Sequence, residues 1–242
     1  MGESHQCHIG VELRPEGSYA APNNGEGCMS TMTPERPAVT VVESTPVADP
    51  AALGLAGFAL TTFLLSGHTA SWIPDLIWVG PAIFYGGLAQ LLAGMWEFRN
   101  RNIFGATAFS TYGAFWMSFG LFVILALTTN FLSSYKGGDL DNAAAWFVFA
   151  FLMFNTYMLI GSMRVNMAVF TVFLTLEITE ILLVIGHFES AHTAGAHLWW
   201  LHAGGWMGIA TAAAAWYTSA AIVLNNQAGR TVLPVGGRLL AA

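Results

Sequence analysis

Glu177 and Glu180 stand three residues apart in a run, 168–185, that is otherwise apolar apart from hydroxyl side chains. On a helix that spacing places both on one face, together with Phe173 and Leu176. The only Lys is Lys136, in a loop, and no Arg lies inside an apolar segment to pair with them. An ionised acid is costly at bilayer depth, so two close carboxylates without a cation cannot both stay charged. A neutral glutamic acid donates a hydrogen bond, and a titrating one carries a proton. The pair is therefore expected to face the interior of a helix bundle and to couple protons to the passage of a solute. Gln90, Tyr112 and Asn155 are the next candidates, because a buried amide or phenol demands a partner. Thr62 and Thr111 join them as neutral groups that can replace part of a small solute's hydration shell.

Other chemistries find no support. Without a Lys in any apolar segment, a retinal Schiff base is excluded. No Walker loop, dinucleotide fingerprint or HExxH motif is present. Ser66 and His68 sit at i and i+2, on different helix faces, and so do not form a hydrolase pair. "HQCH" (5–8) and Cys28 lie in a polar stretch and lack the four spaced ligands of a metal site. No enzyme, metal or cofactor is expected.

The elements that must position these residues follow from composition. The chain has 242 residues, 55% hydrophobic and 9% charged, against about 25% charged for a soluble domain. A net charge of −6 argues against nucleic acid as a partner. Residues 1–48 are polar, rich in Pro, Gly, Ser, Thr and Glu, and read as a disordered tail. Six apolar segments follow, at 53–69, 73–97, 103–130, 143–163, 166–187 and 197–223. Each reaches or approaches the ~20 residues that span a bilayer as a helix. The expected fold is an all-α integral membrane protein. A six-helix transport domain covers 49–224, and a cytoplasmic tail covers 225–242. With the N-terminus inside, seven of the eight basic residues fall on the cytoplasmic side, which places both termini there.

Three stretches carry a resemblance: "DPAALGLAGFALTTFLLS" (49–66), "FYGGLAQLLAGMWEFRNRNIFGATAFSTYGAFW" (84–116) and "LNNQAGRTVLP" (224–234). They resemble the acetate uptake transporter family, which includes bacterial succinate–acetate permeases and fungal acetate transporters. The resemblance implies six helices per subunit, a homohexamer in the plasma (inner) membrane, and passage of short monocarboxylates through each protomer. It also implies a narrow constriction of Phe58, from the LGLxGF pattern, Tyr112, from STYGAFW, and Leu176. His202, followed by AGGW, matches a family position as well. The partners implied are acetate and similar carboxylates, succinate among them, with protons. The alternatives are a passive acetate or anion channel, a channel for ammonia or another small neutral solute, and a scaffold without transport.

The chain departs from the pattern at its opening, where Asp49 and Ala52 stand in place of the usual Asn and second Pro. An ionised Asp49 would repel an anion. His187, His192 and His197 are expected as solvated groups at the external surface. Glu97 is expected to pair with Arg99 or Arg101.

Overall fold

The computed structural model describes residues 47–193 and 198–240. The N-terminal stretch with HQCH and Cys28, and His197, lie outside these residues. The described chain folds as helices α1 (Ala51–Thr69), α2 (Val79–Ile83), α3 (Gln90–Arg99), α4 (Ile103–Thr128), α5 (Asp139–Ser162), α6 (Met167–His192) and α7 (Trp199–Ala228). Helices α1, α4, α5, α6 and α7 are each long and apolar enough to cross a membrane. The sixth crossing is composite: α2 runs through a π-helical turn, Phe84–Ala89, directly into α3. Six crossings bring the start of α1 and the end of α7 to one end of the bundle, called the inner end below.

The second crossing starts at Val79, six residues later than the apolar run, because Asp75 organises the loop before it. Its carboxylate accepts from the Leu76 N–H at 2.7 Å and from the Trp78 indole N–H at 3.2 Å. It also pairs with His68 at 3.4 Å. The π turn has a packing cause. Gly57 brings α1 against the Tyr85 carbonyl, where an added Cβ would lie only 2.6 Å from the oxygen. Extra-residue turns of this kind sit inside helices most often at functional sites. This one delivers Gln90 to the interior.

Side chains cap the starts of α1, α4 and α6. Asp49 accepts from the Ala51 N–H at 2.9 Å, Asn102 caps α4 through the Gly105 N–H, and Asn166 caps α6 through the Val169 N–H. Each satisfies a backbone donor that the first helical turn leaves open. Helix α7 ends at Gly229, whose φ of +60° is the left-handed conformation that glycine adopts without cost. The chain then folds back across the inner end. Asn225 holds it there, donating to the Leu233 carbonyl and accepting from the Val232 and Leu233 N–H groups.

In the packing order, α5 lies on α6, α6 on α7, α7 on α1, and α1 on the composite crossing, which lies on α4. Between neighbours in this ring, the α4–α5 seam is the sparsest. A ladder of rings from Phe115, Phe119, Phe147 and Phe151 bridges that seam.

Candidate solute path and its polar groups

Three cavities lie in series through the ring of helices. The outer one, about 160 Å³, is bordered by Thr62, Ser66, Trp116, Thr179, Glu180 and His187 among others. The middle one is small, about 30 Å³, and is bordered by Gln90 amid apolar side chains. The inner one, about 260 Å³, is bordered by Asp49, Glu97, Asn102, Asn166, Thr218 and Asn225 with an apolar remainder. Phe58, Tyr112 and Leu176 border both the outer and the middle cavity. These three side chains therefore form the wall that divides them. The Phe58 and Tyr112 rings meet edge to face, with centroids 5.6 Å apart. A second neck, of Leu55, Ala108, Phe109 and Phe173, separates the middle cavity from the inner one.

Polar groups line this series in a pattern that packing alone does not explain. Six buried side-chain polar atoms among the described residues lack a hydrogen-bond partner. Five of them belong to residues that border the cavities. Thr62 Oγ1, Trp116 Nε1 and Glu180 Oε2 are at the outer cavity, Gln90 Oε1 at the middle one and Glu97 Oε1 at the inner one. A buried polar group left unpaired costs about 1–3 kcal/mol. Such groups in a native protein are normally satisfied by something, and a series of them along one line fits a polar solute and its water. Only Ser110 Oγ lies off the line.

Behind the constriction lies a network that is fully paired. The Tyr112 hydroxyl donates to Asn155 Oδ1 at 2.9 Å. The Asn155 amide donates to the Phe173 carbonyl at 3.1 Å and to Glu177 Oε2 at 2.7 Å. Thr156 donates to Glu177 Oε1 at 2.7 Å. Asn155 is fully buried, and its amide links the constriction on α4 to α6.

Of the residues singled out in the sequence, Phe58, Tyr112 and Leu176 border both the outer and the middle cavity, Thr62 borders the outer one and Gln90 the middle one. Thr111 borders neither, because one residue turns it about 100° away from Tyr112. Asn155 stands behind Tyr112 rather than in the path. The Tyr112 hydroxyl already has an acceptor, so donation to a passing carboxylate requires it to leave Asn155. His202 sits at the outer surface, 3.1 Å from Ser71 Oγ, and borders none of the three cavities.

The two glutamates part company. Glu180 is 6% exposed, borders the outer cavity and makes no hydrogen bond among the described residues. Glu177 turns toward α5, where Asn155 and Thr156 hold both its oxygens, and does not reach the cavity. His187 is half-buried rather than solvated. It borders the outer cavity and lies 3.2 Å from Asp141 on α5. His192 turns back onto the Phe188 carbonyl.

Trp116 escaped the sequence reading, and Glu97 departs from its expected pairing. Trp116 closes the STYGAFW motif and borders the outer cavity, its buried indole N–H without a partner. Glu97 is 1% exposed and pairs with neither Arg99 nor Arg101. Its Oε2 accepts instead from the Asn102 amide at 3.1 Å. Arg101 takes a positive φ of 58°, and that turn brings Asn102 back onto Glu97.

Residues 30–236 match the model of the GPR1/FUN34/yaaH family. The chain belongs to this family. It is 37% identical over 201 residues to the Succinate-acetate/proton symporter SatP of Escherichia coli, covering 80% of this chain and 97% of that protein. To Ammonia transport outward protein 2 of Saccharomyces cerevisiae it is 39% identical over 186 residues, 74% of this chain and 63% of that one. It spans between 57% and 67% of the length of the fungal relatives that it matches. The solved structure of the bacterial acetate channel SatP superposes with a TM-score of 0.69 at 34% identity, over 79% of this chain and all of that one. A GPR1/FUN34/yaaH fold of six crossings is thus shared, and the protein is a multi-pass membrane protein.

Proposed function

We propose that this protein moves acetate and similar short carboxylates across the membrane together with a proton, through the three cavities of each protomer. The observation that carries the reading is the series of unpartnered polar atoms on either side of an apolar wall. In the outer cavity the Thr62 hydroxyl and the Trp116 indole N–H are donors suited to a carboxylate. Phe58, Tyr112 and Leu176 exclude water and strip hydration from whatever passes. Glu180 supplies a titratable proton beside that wall, and Glu177 is a structural brace. The names of the family's bacterial relatives agree with acetate as solute.

Passive conduction of acetate is the second reading, because the solved relative is described as a channel. Ammonia is the third, suggested by the yeast relative's name and by the acidic inner cavity. A homohexamer in the plasma membrane with cytoplasmic termini belongs to the same proposal. It rests on the resemblance and on the one-sided distribution of basic residues. Asn225 and Val235 stand at the inner mouth of the path.

Purified protein in liposomes, offered labelled acetate, propionate, succinate and methylammonium, tests the choice of solute. Saturable carboxylate flux above that of protein-free liposomes supports the proposal. Flux of methylammonium alone replaces it with the ammonia reading.

A further inference from the structure

The buried acid of the inner cavity has no assigned work, and its setting mirrors that of Glu180. Glu97 and Glu180 are both buried, each with one carboxylate oxygen unpartnered, and each borders a cavity. One lies outside the Phe58–Tyr112–Leu176 wall and the other lies inside it. Among the described residues no Lys, Arg or His borders the inner cavity, and Asp49 is the only other titratable group there. Two of the amide donors there are in use, Asn102 Nδ2 on Glu97 and Asn225 Nδ2 on the Leu233 carbonyl. An inner cavity with two acids and no cation is a poor resting place for a carboxylate anion. It suits a solute that arrives with a proton to give.

We propose that Glu180 and Glu97 are a proton hand-off pair astride the apolar wall, so that the carboxylate crosses it as the undissociated acid. The proposal rests on the transport function proposed above. At the outer cavity the Glu180 carboxylic acid gives its proton to the carboxylate of the solute and becomes an anion. Outside water reprotonates it by way of His187, which borders the same cavity and pairs with Asp141. The neutral acid then passes the wall, where an ionised carboxylate would pay far more in desolvation than an acid hydroxyl does. At the inner cavity the acid's proton passes to the Glu97 carboxylate, and the solute becomes an anion again. Asp49 at the mouth repels that anion outward, and Glu97 releases the proton to inner water. One proton and one carboxylate cross per cycle.

The titratable groups around the two acids are few. Tyr112, His187 and, one turn away, Glu177 surround Glu180. On the helices packed there, Asp141 of α5 faces His187. His68 of α1 is paired with Asp75, and His202 of α7 with Ser71. Around Glu97 there is Asp49. Helix α4 carries no charged residue, and Arg99 and Arg101 border no cavity.

The test is initial acetate uptake into liposomes with the protein oriented one way, while inner and outer pH are varied separately. For the wild type, acidifying the inner solution slows uptake several-fold. Glu97→Gln makes the rate insensitive to inner pH and keeps the response to outer pH; Glu180→Gln does the reverse; Glu97→Asp restores the inner response. If Glu97→Gln retains the wild-type inner-pH response, or lowers the rate by one factor at every pH, the proposal is overturned. Asn102→Ser keeps the cap of α4 but removes the amide bonded to Glu97. It shifts the midpoint of the inner response, and an unmoved midpoint also overturns the proposal. Wild-type protein that moves no acetate overturns instead the transport reading beneath it.

Discussion

The Tyr112 hydroxyl is tied to Asn155 Oδ1 at 2.9 Å, so the one polar side-chain atom of the Phe58–Tyr112–Leu176 wall is held by α5, on a residue that borders neither adjoining cavity. The same Asn155 amide holds Glu177, and the network therefore joins α4, α5 and α6 beside that wall. The constriction is preorganised by a network whose members are all paired, whereas the cavities on either side carry the unpaired groups.

Asn155→Leu removes that link and leaves the Tyr112 hydroxyl and the Glu177 carboxylate without their buried partner. A loss of about 1–3 kcal/mol is expected, read as a lower melting temperature of the detergent-solubilised protein. Acetate selectivity falls as well, because the Tyr112 ring is no longer held edge-on to Phe58. A variant with unchanged melting and unchanged selectivity would show the network to be idle.

Phe58→Ala merges the outer and middle cavities at the wall they share. Flux of propionate and succinate relative to acetate rises several-fold, at a stability cost of about 3–5 kcal/mol by analogy with buried Phe truncations. Competition by the larger acids against labelled acetate measures the change. An unaltered solute ranking would place the selectivity step elsewhere.

Glu180→Gln removes the response of uptake to outer pH, whereas Glu177→Gln keeps it and reduces stability, because the amide oxygen can accept only one of the two hydrogen bonds that the two carboxylate oxygens accept. The single variants, assayed side by side over a range of outer pH, separate these roles. Equal effects of the two substitutions would argue that both acids act on the solute.

Gly57→Val forces a side chain against the Tyr85 carbonyl and displaces the π turn that delivers Gln90. Overpacking of this kind costs about 1–3 kcal/mol, and the yield of folded protein in membranes falls accordingly. Normal yield and normal flux would mean that the second crossing tolerates a regular helix.

Much of the architecture was legible because lipid leaves few choices. Apolar runs near twenty residues, bounded by Pro74, Lys136 or Arg164, mark crossings whatever packs against them. The constriction was legible only through its motifs, since a Phe, a Tyr and a Leu on three helices look like any core. The errors came from rotations smaller than a sequence pattern resolves. Thr111 differs from Tyr112 by one residue, and Glu177 from Glu180 by about 60° around α6, yet each pair divides between path and packing. Glu97 seemed paired because Arg99 and Arg101 are near in sequence. At i+2, however, Arg99 points off the face, and Arg101 lies beyond the helix end in a left-handed turn that delivers Asn102 instead. The π turn was not legible at all, because its cause is a contact between Gly57 and Tyr85 on different crossings.

The most direct test of the central claim is labelled acetate uptake into liposomes carrying the protein, with and without an inward proton gradient, against protein-free liposomes. Proton-coupled passage predicts saturable accumulation above equilibrium with the gradient and none without it, both lost in Tyr112→Ala. Flux equal to that of the empty liposomes under both conditions would contradict it.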